Sequence, residues 1–216
     1  AICVSLINMK GGVGKTTLAT QIAWYATMRL NKKVLLIDLD PQANASQSVM
    51  SPQGYVSYLD SGRATVVDIF EQFTPTSTSS GSPTQLDPST VIFNRVEYDD
   101  GSLLHLVPSR LELSRTLRNP YEKETLLPRF VARVEEDYDL IIIDCSPTDS
   151  VLTDAAYHCS SYSLVPIRLE FLASIGFPLL NRSIRAFQVR HDDKVIEICG
   201  LVFNDFIRGK EKREHK

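Results

Sequence analysis

Long apolar runs are missing from this 216-residue sequence: stretches such as 140–143 fall far short of the roughly 18–20 residues that span a bilayer, so no membrane-spanning helix and no membrane partner are expected. The first residues lack a basic segment, an apolar region of leader length and a cleavage site, so export is not expected either. Cysteine is sparse. Cys3, Cys145, Cys159 and Cys199 stand far apart without CxxC spacing, and three of them sit in apolar runs, which reads as reduced core thiols of a cytosolic protein. His105, His158, His191 and His215 show no metal-ligand spacing, and neither GxSxG nor a reactive Cys–His signature appears, which argues against covalent serine or cysteine hydrolysis. An excess of one charge is lacking too. With 23 Lys and Arg against 26 Asp and Glu the net charge is −3, so bulk charge does not demand nucleic acid, although a local patch could bind it. Apolar residues at 43% and charged residues at 23% exclude disorder throughout, a collagen-like repeat and a coiled coil.

What is present is an alternation. The runs at 1–7 (AICVSLI) and 33–37 (KVLLI) are rich in β-branched residues and leucine, as strands buried on both faces are. Between them Leu18, Ile22 and Tyr25 recur at helical spacing with Ala19, Ala23 and Ala26 beside them, and Asn31 supplies the C-terminal stop. Further strands are expected at 103–107, 140–143, 162–167 and 195–203, and helices at 126–136 and 179–189. The fold class is therefore α/β, a mainly parallel doubly wound sheet with helices on both faces, in one domain over residues 1–216. Residues 74–90 form an expected surface insertion, since 14 of these 17 are Ser, Thr, Pro or Gly, too polar to offset the entropy of ordering. The charged run 207–216 follows directly after a strand, which implies that the C-terminal part of the domain lies beyond this sequence.

The strongest chemical signal is 8–17, NMKGGVGKTT, which leaves a strand and opens a helix, the context a phosphate-binding loop requires. Gly11, Gly12 and Gly14, with Val13 between them, let backbone N–H groups turn inward as an anion nest, and the helix dipole adds positive potential there. A triphosphate fits such a loop: Lys15 would reach its β- and γ-phosphates, Thr16 would coordinate Mg²⁺ and Thr17 would contact the α-phosphate. At 35–44, LLIDLDPQAN, Asp38 and Asp40 lie two residues apart at a strand end and point toward the carboxyl edge where α/β proteins bind ligands. At 138–147, YDLIIIDCSP, an apolar strand ends in Asp144, suited to hold the Mg²⁺ shell.

Met9 stands where the general phosphate-loop pattern has its first glycine, and Lys10 follows it. This KGGVGKTT form resembles the deviant Walker A ATPases, the group of the ParA and Soj partition proteins, MinD and the nitrogenase iron protein. The resemblance implies that Lys10 reaches across a nucleotide-sandwich homodimer to the phosphates of the opposite subunit, in the role of an arginine finger. DxDPQxN is similar to the ParA-branch switch I, implying that Asp40 orients the attacking water while Asp38 supports the loop and the metal. The segments 106–109 (LVPS), 164–167 (LVPI) with Glu170, and 200–204 (GLVFN) resemble further family strands, the last implying that Asn204 reads the adenine ring. Family members commonly carry Pro where Ser146 stands, and Asp149 has no counterpart in the motif. Implied as a whole is a ParA-like, cytoplasmic and nucleoid-associated ATPase that binds DNA nonspecifically and hydrolyses ATP when a ParB-like partner engages it; Arg182 and Arg185 at i, i+3, with Arg190 beyond, read either as a DNA-facing helix or as a solvated basic face. A MinD-like positioning ATPase is the alternative and requires a C-terminal amphipathic helix.

Overall fold

A computed structural model describes residues 1–72, 85–118, 120, 122–168, 173–191 and 194–204. Residues 74–84 of the expected insertion, Glu170 and the charged run 207–216 lie outside the described residues. Seven strands form one sheet: β1 (Ile2–Leu6), β2 (Lys33–Leu39), β3 (Phe93–Glu97), β4 (Leu103–Val107), β5 (Leu140–Cys145), β6 (Tyr162–Arg168) and β7 (Glu197–Asn204). Their spatial order is β3-β4-β2-β5-β1-β6-β7, and every neighbouring pair is parallel except β3 with β4. The central strands are continuous apolar runs because helices cover both faces: Val34 through Leu39 and Ile141 through Cys145 are all buried.

On one face lie α1 (Lys15–Leu30), α2 (Asn44–Met50) and α3 (Pro52–Asp60), and on the other α4 (Val66–Glu71), α5 (Pro88–Val91), α6 (Leu126–Val134), α7 (Val151–Cys159) and α8 (Ala173–Arg190). The alanine row of α1, Ala19, Ala23 and Ala26, is what meets the sheet, whereas Tyr25 is 60% exposed. Small side chains there let the helix axis approach the strands closely, so the larger residues read as its apolar stripe flank that contact or face outward. Asn31 caps the helix in a left-handed conformation, φ 51°, as its place in the sequence predicts.

At the end of the expected insertion, residues 85–90 are exposed or half-buried; Asp87 caps α5 through the Ser89 amide, and Leu86 packs against the core just ahead of the fully buried Val91. One expectation needs correction. Cys3 and Cys145 are buried, but Cys199 is exposed, because it lies on β7, which has a neighbouring strand on one side only among the described residues.

Candidate active site at the strand ends

The strand order sets the site. With β5 between β1 and β2, the register pairs Leu6 with Asp144 and Asp144 with Asp38, so three carboxyl ends stand in one row. The chain leaves β1 into the loop 8–14 and enters α1 at Lys15. Gly12 and Gly14 adopt φ of 72° and 93°, the left-handed region that turns successive N–H groups toward one side. Asn8, 3% exposed, pins the loop: its Nδ2 donates to the Pro166 carbonyl at 2.8 Å and its Oδ1 accepts the Lys10 N–H at 2.9 Å. Met9 packs its side chain against the core, which gives a structural reason for an apolar residue at that position.

Lys15 departs from expectation in its burial. A lysine in a glycine-rich loop reads as exposed, yet Lys15 is 6% exposed, and its Nζ donates to the carbonyls of Asn8 at 3.1 Å and Lys10 at 3.0 Å. Burial lowers its pKa, and the nearby Asp144 carboxylate counters part of that shift. Asp144 is 1% exposed and neither carboxylate oxygen has a hydrogen-bond partner of regular geometry; burial and then the neighbouring Asp38 push its pKa up to about 7, against the lowering influence of Thr16 and Lys15. Asp38, fully buried, is pushed up to about 6 by burial although three donors hold it: the Ser46 N–H at 2.8 Å, the Ser46 hydroxyl at 2.6 Å and the Asp40 N–H at 3.2 Å. Burial thus disfavours the charged form of both carboxylates, and a cation beside Asp144 would favour it.

An open cleft of about 640 Å³ follows the loop and is lined by Gly11, Gly12, Gly14, Lys15, Thr16 and Thr17 on one side and by Asp40, Asn44, Ser48 and Pro147 on the other. Asp40 accepts the Gln42 N–H at 2.9 Å and stays half-exposed toward this cleft. Asp38, although two residues away, is not among the lining residues: its carboxylate turns inward to Ser46. The two aspartates thus differ in surroundings, one in the cleft and one behind it. Among the described residues no three His, Cys, Asp or Glu side chains gather closely enough to hold a metal alone. A hard cation held by a hydroxyl, one open carboxylate and phosphate oxygens fits this donor set, and Asp144 with Thr16 offers the protein's share.

Asn204 closes the other end of the loop. Its Nδ2 donates to the Val13 carbonyl at 3.2 Å, and a Cβ on Gly14 would fall on its side-chain amide. Gly14→Ala should accordingly cost about 1–2 kcal/mol, from the left-handed backbone together with displacement of Asn204. Denaturant unfolding checks it, and an unchanged midpoint would remove the packing argument. Sequence reasoning missed Asn8 and Ser46, single polar residues without a periodic or motif signal of their own. Asp149, unplaced by motif, accepts the Ser183 hydroxyl at 2.8 Å and so ties the segment after β5 to α8. Arg182 and Arg185 are exposed on α8, while Arg190 pairs with Asp154 at 3.1 Å.

Among the described residues no helix is long and apolar enough to cross a membrane. The model of a family described as an AAA domain matches residues 1–198. The sporulation initiation inhibitor protein Soj of Bacillus subtilis is 30% identical over 205 residues, spanning 92% of this chain and 70% of that protein. The chain spans 73% and 63% of the length of two other curated relatives. A plasmid partition protein from Borrelia burgdorferi superposes with a TM-score of 0.73 at 26% identity, over 100% of this chain and 83% of that one. A cobyrinic acid a,c-diamide synthase from Mycobacterium smegmatis, solved with an ATP analogue and magnesium, gives 0.72 at 26% identity over 94% and 74%. With a phosphate-binding loop, two buried strand-end aspartates and these relatives, the chain belongs to this AAA-domain family and is a P-loop ATPase of the ParA and Soj type.

Proposed function

We propose that the protein binds Mg-ATP in the strand-end cleft, closes on it as a homodimer, and holds DNA without sequence preference in that state. A ParB-like partner then stimulates hydrolysis, so that plasmid or chromosomal DNA is segregated by a cytoplasmic, nucleoid-associated cycle. Residues 1–216 act in this as a single ATPase domain, with a Ser/Thr/Pro-rich surface insertion at about 74–90. The observation that carries the reading is the pairing of a left-handed glycine nest at the mouth of α1 with the buried, unbonded Asp144 carboxylate. One presents donors that suit an anion and the other a carboxylate that suits a cation, and a metal-bound triphosphate fits both.

Each residue has a part. Gly11, Gly12, Val13 and Gly14 present main-chain donors to the phosphates, and Thr17 adds its hydroxyl. Lys15 leaves the Asn8 and Lys10 carbonyls for the β- and γ-phosphates, exchanging neutral acceptors for charged ones. Thr16 and Asp144, with Asp38 behind them, would hold magnesium, which when bound would offset charge developing on the phosphates. Asp40, facing the cleft, orients the attacking water; Asn204 reads the adenine ring; Lys10 extends to the nucleotide of the opposite subunit. Arg182 and Arg185 on α8 are candidates for phosphate contacts on DNA.

Gel retardation with nonspecific duplex DNA, alongside pelleting with anionic liposomes, each with and without Mg-ATP, tests this. ATP-dependent retention on DNA that weakens steeply with added salt is expected, with no pelleting on liposomes. ATP-dependent pelleting on liposomes without retention on DNA would favour the membrane-positioning alternative.

A further inference from the structure

Asp38 sits at the centre of a hydrogen-bond relay whose direction the chemistry fixes. The Ser109 N–H donates to Ser46 Oγ at 2.9 Å, and an amide has no other role to play. The Ser46 hydroxyl must then place its own proton elsewhere, and Asp38 Oδ2 receives it at 2.6 Å, while the Ser46 N–H donates to the same oxygen at 2.8 Å. The other oxygen of Asp38 accepts the Asp40 N–H at 3.2 Å. Ser46, Asp38 and Ser109 are all fully buried, so water cannot replace a lost member at little cost.

The source of the relay is itself braced from three sides. The Pro108 carbonyl accepts the first N–H of α4, from Val66, at 2.8 Å, and the Ser109 carbonyl accepts the Tyr55 hydroxyl of α3 at 2.9 Å. Ser46 belongs to α2. Three helices thus converge on the turn after β4, and the Ser46 side chain links that turn to Asp38.

We propose that Ser46 is a positioning residue for the hydrolytic step: its hydroxyl, oriented by the Ser109 amide, clamps Asp38, and Asp38 in turn fixes the main chain of Asp40 so that the Asp40 carboxylate faces the cleft. This rests on the ATPase reading above for its consequence, though not for its geometry. Ser46 touches neither nucleotide nor water in this scheme and acts only through Asp38.

The substitution Ser46→Ala removes one oxygen from a packed site and leaves the backbone donor to Asp38 in place. Turnover of ATP by the variant should fall on the order of tenfold, as for loss of one hydrogen bond to a charged group, with Mg-ATP affinity within about twofold of the parent. Amide hydrogen exchange at Asp40 and Ser109 in the nucleotide-free protein should accelerate, and Ser46→Thr, which keeps the hydroxyl, should restore protection at both. Unchanged exchange at both amides overturns the relay whatever the turnover does. Equal losses of turnover and nucleotide affinity overturn the positioning role and leave a structural one. If the parent itself fails to hydrolyse ATP, the activity reading falls while the exchange measurement still decides the relay.

Discussion

Lys15→Ala is expected to lose Mg-ATP binding by a hundredfold or more, about 3 kcal/mol, while its unfolding midpoint stays close to the parent's. The first half follows from charge. Lys15 is an ammonium close enough to the buried Asp144 for each to shift the other's pKa, and the loop's main-chain donors alone offset little of the charge of a triphosphate. The second half follows from two opposed costs. The variant leaves the Asn8 and Lys10 carbonyls without their donor, which destabilises by about 1–3 kcal/mol, but it also removes an ammonium that is 6% exposed and whose lowered pKa records the penalty of its burial. Calorimetric titration and denaturant unfolding separate the two. Nucleotide affinity equal to the parent's would refute the phosphate-loop assignment.

Lys10→Ala should behave in the opposite way toward binding. Among the described residues, two contacts of Lys10 to the loop's network are main-chain: its N–H donates to Asn8 Oδ1 and its carbonyl accepts Lys15 Nζ. Alanine keeps both, so the nest and Lys15 stay in place and a single subunit should bind Mg-ATP with affinity within a few-fold of the parent's. Turnover should fall by about 10³-fold, the order expected when a finger residue that neutralises phosphoryl charge is withdrawn. A variant that loses nucleotide binding as well would show that Lys10 serves its own subunit's site.

The phosphate loop, β2 and β5 were legible because buried parallel strands are continuous apolar runs and because glycines between a strand and a helix admit few readings. Less legible were elements in which the signal is short or divided. β3 is FNRVE, half-exposed and antiparallel at the sheet's edge, so neither an apolar run nor a strict alternation marks it. α2, NASQSVM, buries Ala45, Ser46, Val49 and Met50, and two of those four carry little hydrophobic weight. α4 could have been found: Thr65 and Asp68 form a capping box ahead of an apolar run. The division between Asp38 and Asp40 was hidden for another reason. Spacing places both at the strand end, but which one turns into the cleft depends on Ser46 and the turn at 108–109, brought there by strand order rather than by anything local.

The account stands on coupling between nucleotide and assembly, and sedimentation velocity on the parent and on Lys10→Ala, each with Mg²⁺ and a non-hydrolysable ATP analogue, with ADP and with no nucleotide, measures that coupling. The parent should sediment as a dimer with the analogue alone and as a monomer otherwise, and Lys10→Ala as a monomer throughout, because repulsion between two facing triphosphates is then left without its opposing charge. A parent whose association ignores the nucleotide, or a Lys10→Ala variant that dimerises with the analogue as firmly as the parent, would contradict it.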